Sequence, residues 1–128
     1  MAVGAETMAH VLVVDDDHDI RLTIQAILES EGYSVTTAVN GREALARITE
    51  DRPLLVLLDL QMPVMNGWEV LTELRAQNAG IPVIFMTAGY RAHIEATRYH
   101  ADAHLSKPFE MDELLQLVAR FTTTAGAV

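Results

Sequence analysis

The chain has 128 residues, half of them hydrophobic, which is enough for one domain with a buried core. It has no cysteine, which excludes disulfides and thiolate metal sites, and no apolar run near the roughly 20 residues of a membrane span. The net charge of −9 argues against direct binding to nucleic acid or anionic lipid. These features indicate a soluble globular protein, and the absence of cysteine suits the cytoplasm.

The predicted domain occupies residues 9–122. Residues 1–8 contain one acid, no basic residue and no long apolar stretch, so they are predicted to be a disordered extension rather than a secretory signal. Residues 123–128 are predicted to be a loose C-terminal tail. No linker rich in Pro, Gly or Ser divides the rest, so a single domain is expected.

The first half of the chain alternates short apolar runs with segments of helical period. The run 11–14 is apolar and β-branched, which is typical of a strand covered on both faces. Asp17 is placed to cap the helix that follows, and Gly32 ends it. A second strand is predicted over 33–39 and a second helix over 42–50.

The second half repeats this alternation three times. Three more strands are predicted, each followed by a helix: strands at 54–58, 83–86 and 102–105, with the last two helices at 91–99 and 111–121. Five strand–helix units in succession predict an α/β protein with a doubly wound, five-stranded parallel sheet. The common strand order for such a sheet is 2-1-3-4-5, with helices on both faces.

Polar side chains follow the predicted strands. Asp15 and Asp16 follow the first strand, Asp59 the third and Thr87 the fourth, and Lys107 comes just after the fifth. Ligands of such folds bind beyond the carboxyl ends of the strands, so we expect these groups to meet at one edge. Two like charges about 4 Å apart repel by roughly 4 kcal/mol at an effective dielectric near 20. Three crowded carboxylates therefore predict a hard cation, and Mg²⁺ is favoured because it keeps waters for a phosphate.

Lys107 is the only lysine in the chain, against eight arginines. A point charge on a flexible stem can reach a phosphate without bidentate geometry, and Pro108 would fix the direction of the turn. Taken singly, each residue has an ordinary alternative explanation: Lys107 as a solvated surface lysine, Asp59 as a turn cap and Thr87 as a common strand-end residue. Their joint placement favours a site.

The motifs around these residues resemble the receiver domain of bacterial two-component response regulators over residues 10–121. They are Val-Val-Asp15-Asp16-Asp17, Leu-Leu-Asp59-Leu-Gln-Met-Pro63-Val-Met-Asn66-Gly67, Met-Thr87-Ala88 and Lys107-Pro108-Phe109. The resemblance implies a flavodoxin-like (βα)5 fold. Because the length leaves no room for an effector domain, we expect the stand-alone, single-domain type, with output through an unknown downstream protein.

The resemblance also implies a role for each residue. Asp59 would be the phosphoacceptor, taking a phosphoryl group from a sensor histidine kinase or a histidine phosphotransfer protein. The ligands of Mg²⁺, for which Mn²⁺ is a substitute, would be Asp15, Asp16, Asp59 and the main-chain carbonyl of Gln61. Thr87 and Lys107 would each hold a phosphoryl oxygen. Movement of Thr87 would switch the surface formed by the fourth helix, the fifth strand and the fifth helix.

On this interpretation the protein is a phosphorylated signalling module rather than a turnover enzyme. It would assist its own phosphorylation and slow dephosphorylation, act without direct nucleic-acid or membrane contact, and be a monomer or weak dimer. Two features depart from the family pattern. His104 stands three places before the lysine, where Tyr or Phe is common, and is either the switch residue or an exposed histidine without function. The interval of 20 residues from Thr87 to Lys107 is short, so the intervening helix is expected to be short or displaced.

Two other functions stay open at this point. A magnesium phosphohydrolase would form an aspartyl phosphate as a turnover intermediate, but it normally needs a second acid two places after the nucleophile, where this chain has Gln61. A receiver-shaped adaptor would act by protein contacts alone. A Mg²⁺-dependent mass increase of one phosphoryl group with acetyl phosphate would separate the signalling module from the adaptor.

Overall fold

The computed structural model describes residues 9–77, 80–88, 94, 96–98 and 100–126. For residues 123–126 it describes the backbone alone. Five strands form one parallel sheet: β1 (His10–Val14), β2 (Ser34–Ala38), β3 (Leu55–Asp59), β4 (Val83–Ala88) and β5 (Ala103–Lys107). Their order in the sheet is β2-β1-β3-β4-β5. This order confirms the predicted doubly wound fold.

Helices connect these strands. They are α1 (His18–Ser30), α2 (Gly41–Glu50), α3 (Gly67–Ala76), α4, which is helical at residues 94 and 96–98, and α5 (Met111–Gly126). The other residues of the predicted helix at 91–99 lie outside the described part of the chain, as does the predicted extension at 1–8. Among the described residues, no helix combines the length and the apolar character needed to cross a membrane.

The C-terminal helix is longer than the sequence predicted. It continues past 121 to Gly126, so residues 123–126 are helical rather than part of a loose tail. The side chain of Thr122 is buried, and its hydroxyl donates to the carbonyl of Val118 at 2.8 Å. It also lies 3.2 Å from the hydroxyl of Tyr33. This tertiary contact outweighs the low helix propensity of the three threonines at 122–124.

Helix caps fix where each strand leads into its helix. Asp17 accepts a hydrogen bond from the amide of Ile20 and caps α1, as predicted. Asn66 caps α3 in a reciprocal pair with Glu69: its side chain accepts from the Glu69 amide at 3.1 Å, and its own amide donates to the Glu69 carboxylate at 3.0 Å. Gly32, with φ of 94°, takes the left-handed conformation that ends α1. The caps at Asp17 and Asn66 thus fix the start of the helices that follow β1 and β3.

The sheet is buried on both faces, which explains the continuous apolar runs of β1 and β3. Leu12 and Val14 face a cluster that includes residues of α2 and α3, whereas Val11 and Val13 face a cluster that includes residues of α1 and α5. All five residues of β3 are buried. Because β3 is covered on both faces, a charged group at its end is accessible only beyond the edge of the sheet.

Candidate functional site

The register of the sheet brings the predicted site residues to one edge. Val14 pairs with Leu58, so Asp15 and Asp59, the residues that follow them, lie side by side. Asp59 in turn pairs with Met86, which precedes Thr87, and Lys107 ends β5 opposite Ala88. The carboxyl ends of β1, β3, β4 and β5 therefore present these side chains together.

Lys107 reaches across this edge to two carboxylates. Its Nζ lies 2.7 Å from Oδ2 of Asp15 and 3.5 Å from Oδ1 of Asp59. The Asp15 side chain is fully buried, that of Asp59 is 7% exposed and that of Lys107 is 19% exposed. The only lysine of the chain thus links the first and third strands through charge-assisted contacts. The adjoining Lys107–Pro108 peptide bond is cis.

Asp15 is held in place from several sides. The amide of Asp17 donates to its Oδ1 at 2.9 Å, and Lys107 donates to its Oδ2. Its backbone is fixed as well, because Arg21 donates to its carbonyl at 2.8 Å and its own amide donates to Ala38 at 3.2 Å. The contribution of Arg21 was not predicted, since a single arginine on a helical turn carries no distinctive signal.

Three carboxylates form a set that suits a divalent cation. Asp15, Asp16 and Asp59 each offer an oxygen, and these oxygens lie within 4.8 Å of one another. Asp16 is exposed while the other two are buried, so the set opens to solvent on one side. Oxygen ligands with an open side fit a hard ion such as Mg²⁺, which keeps part of its water shell.

The carboxyl of Asp59 is strongly perturbed. Burial, together with the nearby charges of Asp15 and Asp16, raises its pKa from 3.8 to about 7, against the opposing effect of Lys107. Burial is the largest cause of the raised pKa, and Lys107 offsets the effect of the neighbouring acids only in part. A cation bound between the carboxylates would supply the missing positive charge and keep Asp59 ionised.

Lys107 itself is held in the charged state. Burial lowers its pKa, but the hydrogen bond to Asp15 and the charges of Asp59 and Asp15 together raise it above the ordinary value of 10.5. The ammonium is therefore fully protonated at neutral pH. It can act as a fixed positive charge and hydrogen-bond donor, but not as a base.

The remaining predicted residues are placed as follows. Thr87 lies near the end of β4, is buried, and pairs in register with Ser106. Gln61 is exposed in the loop that follows β3. His104 lies within β5, is partly buried, and pairs in register with Phe85. Thr87 and Gln61 thus adjoin the strand ends that carry the acids, whereas His104 sits further back in the sheet.

Gly67 has a structural role at the site that the sequence did not reveal. Its amide donates to the carbonyl of Leu60 at 2.9 Å, which closes the loop that leaves β3. A Cβ at this position would lie 2.6 Å from the carbonyl oxygen of Asp59 and 2.9 Å from the Cα of Leu60. Only glycine permits this approach, so Gly67 sets the backbone of the central acid.

Comparison with known proteins gives a consistent result. The family described as the response regulator receiver domain matches residues 11–119. Response regulator SaeR of Staphylococcus aureus is 38% identical over 118 residues, which cover 91% of this chain and 51% of SaeR. The chain therefore spans about half the length of the curated relatives it matches.

Solved structures agree in fold over nearly the whole chain. The chemotaxis response regulator CheY4 of Vibrio cholerae is 36% identical with a TM-score of 0.81, covering 89% of this chain and 98% of that one. The receiver domain of NtrX from Brucella abortus is 33% identical with a TM-score of 0.82, with the same coverage of both chains. Both share the flavodoxin-like arrangement predicted from the sequence.

Proposed function

The chain belongs to the response regulator receiver domain family, and on that premise we propose that Asp59 accepts a phosphoryl group from a histidine donor protein. The donor is a sensor histidine kinase or a histidine phosphotransfer protein. The observation that carries the proposal is the buried contact of Lys107 with both Asp15 and Asp59, beside three carboxylates within 4.8 Å of one another. Proteins of this family act in two-component signal transduction.

In the proposed step, a carboxylate oxygen of Asp59 forms a bond to phosphorus while the bond from phosphorus to the donor's imidazole nitrogen breaks. The electron pair of that bond leaves with the imidazole. The main task of the protein is to position the groups and to neutralise charge, because phosphoryl transfer needs little covalent help. Lys107 would hold one phosphoryl oxygen, and the hydroxyl of Thr87 would donate to another.

The residues fit a bound Mg²⁺ or Mn²⁺ ion. Asp15, Asp16, Asp59 and the main-chain carbonyl of Gln61 would hold it, with Asp15 acting mainly through a water molecule. The ion would neutralise charge on the phosphoryl oxygens and favour the ionised form of Asp59. The support for this assignment is geometric: three carboxylate oxygens lie within 4.8 Å of one another, and Lys107 contacts only two of these acids.

Phosphorylation adds charge and acceptor oxygens at a buried position. We propose that Thr87 moves toward the new oxygens and that the surface of α4, β5 and α5 changes in response, with an unidentified downstream protein as reader. His104 would be the switch residue of β5. A His104 side chain with the same rotamer before and after phosphorylation, in structures of both states, would remove it from this role.

We propose that the protein is a signalling module that assists its own phosphorylation and its slow dephosphorylation. A turnover hydrolase is less well supported, because Gln61, two places after Asp59, cannot protonate a leaving group. The absence of cysteine suits a reducing compartment, so the proposed location is the cytoplasm, with a monomer or weak dimer as the working form.

The test is labelling by a small phosphodonor, read by intact mass. Wild-type protein incubated with acetyl phosphate should gain one phosphoryl group with Mg²⁺ and none with EDTA. Asp59→Asn should stay unlabelled, and Asp51→Asn, which removes an exposed carboxylate at the opposite edge of the sheet, should label like wild type. Labelling of Asp59→Asn at the wild-type rate would refute the proposal, and many turnovers of a phosphomonoester would favour the hydrolase.

A further inference from the structure

Arg21 connects the first helix to the end of the first strand. It lies near the start of α1, and its Nη1 donates to the carbonyl of Asp15 at 2.8 Å. Because β1 ends at Val14, this carbonyl lies one residue beyond the register that pairs β1 with β2 and β3. A charged donor at this distance makes a strong hydrogen bond. The carbonyl is thus held by a side chain and not by the ladder of the sheet.

The contact closes a ring of hydrogen bonds between strand and helix. The amide of Asp17 donates to Oδ1 of Asp15 at 2.9 Å, and the amide of Arg21 donates to the carbonyl of Asp17 at 3.1 Å. The guanidinium then returns to the carbonyl of Asp15. Its Nη2 lies 3.3 Å from Nδ1 of His18. Two contacts made by different nitrogens of a planar group hold that group in one orientation.

Holding this carbonyl fixes the direction of Asp16. The carbonyl of Asp15 and the amide of Asp16 belong to one planar peptide group, so a fixed oxygen sets the orientation of the whole plane. Of the three acids of the site, Lys107 contacts only the buried Asp15 and Asp59. Asp16 is exposed. The backbone that leads into Asp16 therefore influences the position of its carboxylate more than is the case for the other two acids.

The geometry that the proposed ion requires makes this position important. Mg²⁺ needs nearly octahedral oxygen ligands at about 2.1 Å, whereas Ca²⁺ accepts about six to eight oxygens at about 2.3–2.6 Å in a flexible arrangement. A small displacement of one carboxylate thus weakens the binding of Mg²⁺ more than the binding of Ca²⁺. Groups that orient the ligands of a metal typically change its affinity about 10- to 100-fold when they are replaced.

The charge of Arg21 would have the opposite effect on affinity. A guanidinium close to the three carboxylates repels a divalent cation bound between them. If only this repulsion mattered, replacing Arg21 with a neutral residue would strengthen the binding of Mg²⁺ and Ca²⁺ alike. A loss of Mg²⁺ affinity in such a variant therefore reports positioning, because the change in charge cannot produce it.

We propose that Arg21 is a positioning residue of the Mg²⁺ site, which orients Asp16 through the carbonyl of Asp15 without contact with the ion. This inference rests on the proposed function, since it concerns the ion that assists phosphorylation of Asp59. Arg21 raises the affinity for Mg²⁺ and the preference for Mg²⁺ over Ca²⁺. It takes no part in the transfer itself, so the rate at saturating Mg²⁺ does not depend on it.

The experiment measures the affinity of four proteins for the two ions. Wild type, Arg21→Gln, Arg21→Lys and Arg42→Gln are titrated with Mg²⁺ and with Ca²⁺, and the dissociation constants are obtained from backbone amide resonances by NMR. Arg42→Gln is the matched control, since it removes the same charge at an exposed position of α2. Urea unfolding in EDTA checks that each variant is folded. Labelling by acetyl phosphate is measured over the same range of Mg²⁺ concentrations.

Arg21→Gln should raise the Kd for Mg²⁺ about tenfold and the Kd for Ca²⁺ by less than about threefold. The Mg²⁺ concentration that gives half-maximal labelling should rise by the same factor as the Kd, while the maximal rate stays within about a factor of two of wild type. Arg21→Lys keeps the charge and a donor but lacks the planar fork, so its Kd for Mg²⁺ should lie between those of wild type and Arg21→Gln. Arg42→Gln should bind both ions at least as tightly as wild type.

A Kd for Mg²⁺ in Arg21→Gln that equals or falls below that of wild type would overturn the inference and leave the proposed function intact. Equal weakening of Mg²⁺ and Ca²⁺ binding would also overturn it, because that result indicates general damage to the site. If Arg21→Gln does not fold, a wild-type Kd for Mg²⁺ in Arg21→Lys overturns the inference instead. A wild-type chain that neither binds Mg²⁺ nor is labelled by acetyl phosphate would overturn the proposed function and the inference together.

Discussion

Removing the charge of Asp59 should make the metal-free protein more stable at neutral pH, although this residue is central to the proposed function. Folding raises the pKa of Asp59 from 3.8 to about 7, chiefly through burial and through Asp15 and Asp16. The folded state therefore binds the proton more tightly than the unfolded state does. The contribution of Asp59 to the free energy of unfolding is therefore largest below about pH 4. It falls as the pH rises and is fully lost above about pH 7.

The size of the effect follows from the shift. About three pKa units at 1.36 kcal/mol each give an upper limit of about 4 kcal/mol for the ionised group at pH 8. Asp59→Asn removes this penalty but also removes the 3.5 Å contact with Lys107, which keeps its shorter contact with Asp15. We therefore expect a net gain of about 1 to 3 kcal/mol in the free energy of unfolding.

Urea unfolding of wild type and Asp59→Asn in EDTA, between about pH 5 and pH 8, measures this difference. The free energy of unfolding of the variant should exceed that of wild type by little at pH 5 and by more as the pH rises through 7, because the pKa of Asp59 is raised in the folded state. Adding Mg²⁺ at 100 times its dissociation constant should stabilise wild type by about 2.7 kcal/mol and the variant by less. A variant less stable than wild type at pH 8, or a difference that does not change with pH, would show that ionised Asp59 does not destabilise the fold.

Three other substitutions test individual contacts. Lys107→Gln should slow labelling by acetyl phosphate about a hundredfold by removing a preorganised charge, whereas Arg42→Gln, at an exposed cation on α2, should not change the rate. Thr87→Val should slow the same reaction about tenfold and Thr87→Ser should largely preserve it, since only the hydroxyl is needed. Gly67→Ala should lower the free energy of unfolding by about 1 to 3 kcal/mol and slow labelling, because its Cβ meets the Asp59 carbonyl. Gly32→Ala, with open space around it but φ of 94°, should destabilise the fold and leave labelling unchanged.

The fold was predictable from sequence because its signals are local and repeated. The strands β1, β3 and β4 are short apolar runs, the helices α1, α2, α3 and α5 have an apolar face, and parallel strands separated by helices restrict the topology strongly. The meeting of Asp15 with Asp59 followed from that topology, since both come at the carboxyl ends of neighbouring strands. The end of α5 was predicted wrongly, because the contact of Thr122 with Tyr33 joins residues far apart in sequence.

Finer features of the site depend on distances that no pattern in one sequence encodes. The Nζ of Lys107 lies closer to Asp15, at 2.7 Å, than to Asp59, at 3.5 Å. The tight approach of Gly67 to Asp59 and the positive φ of Val64 depend on how one loop closes on the core. Asn66-Gly67 indicated a turn, but a turn signal does not tell which backbone atoms the glycine will meet.

The residue that carries the phosphoryl group decides whether Asp59 is the phosphoacceptor. Borohydride reduces an aspartyl phosphate to homoserine, and tandem mass spectrometry of the digested protein then identifies the converted residue. After labelling with acetyl phosphate and Mg²⁺, we expect homoserine at position 59 and unchanged aspartates at 15 and 16. Conversion at any other aspartate, with Asp59 intact, would contradict it.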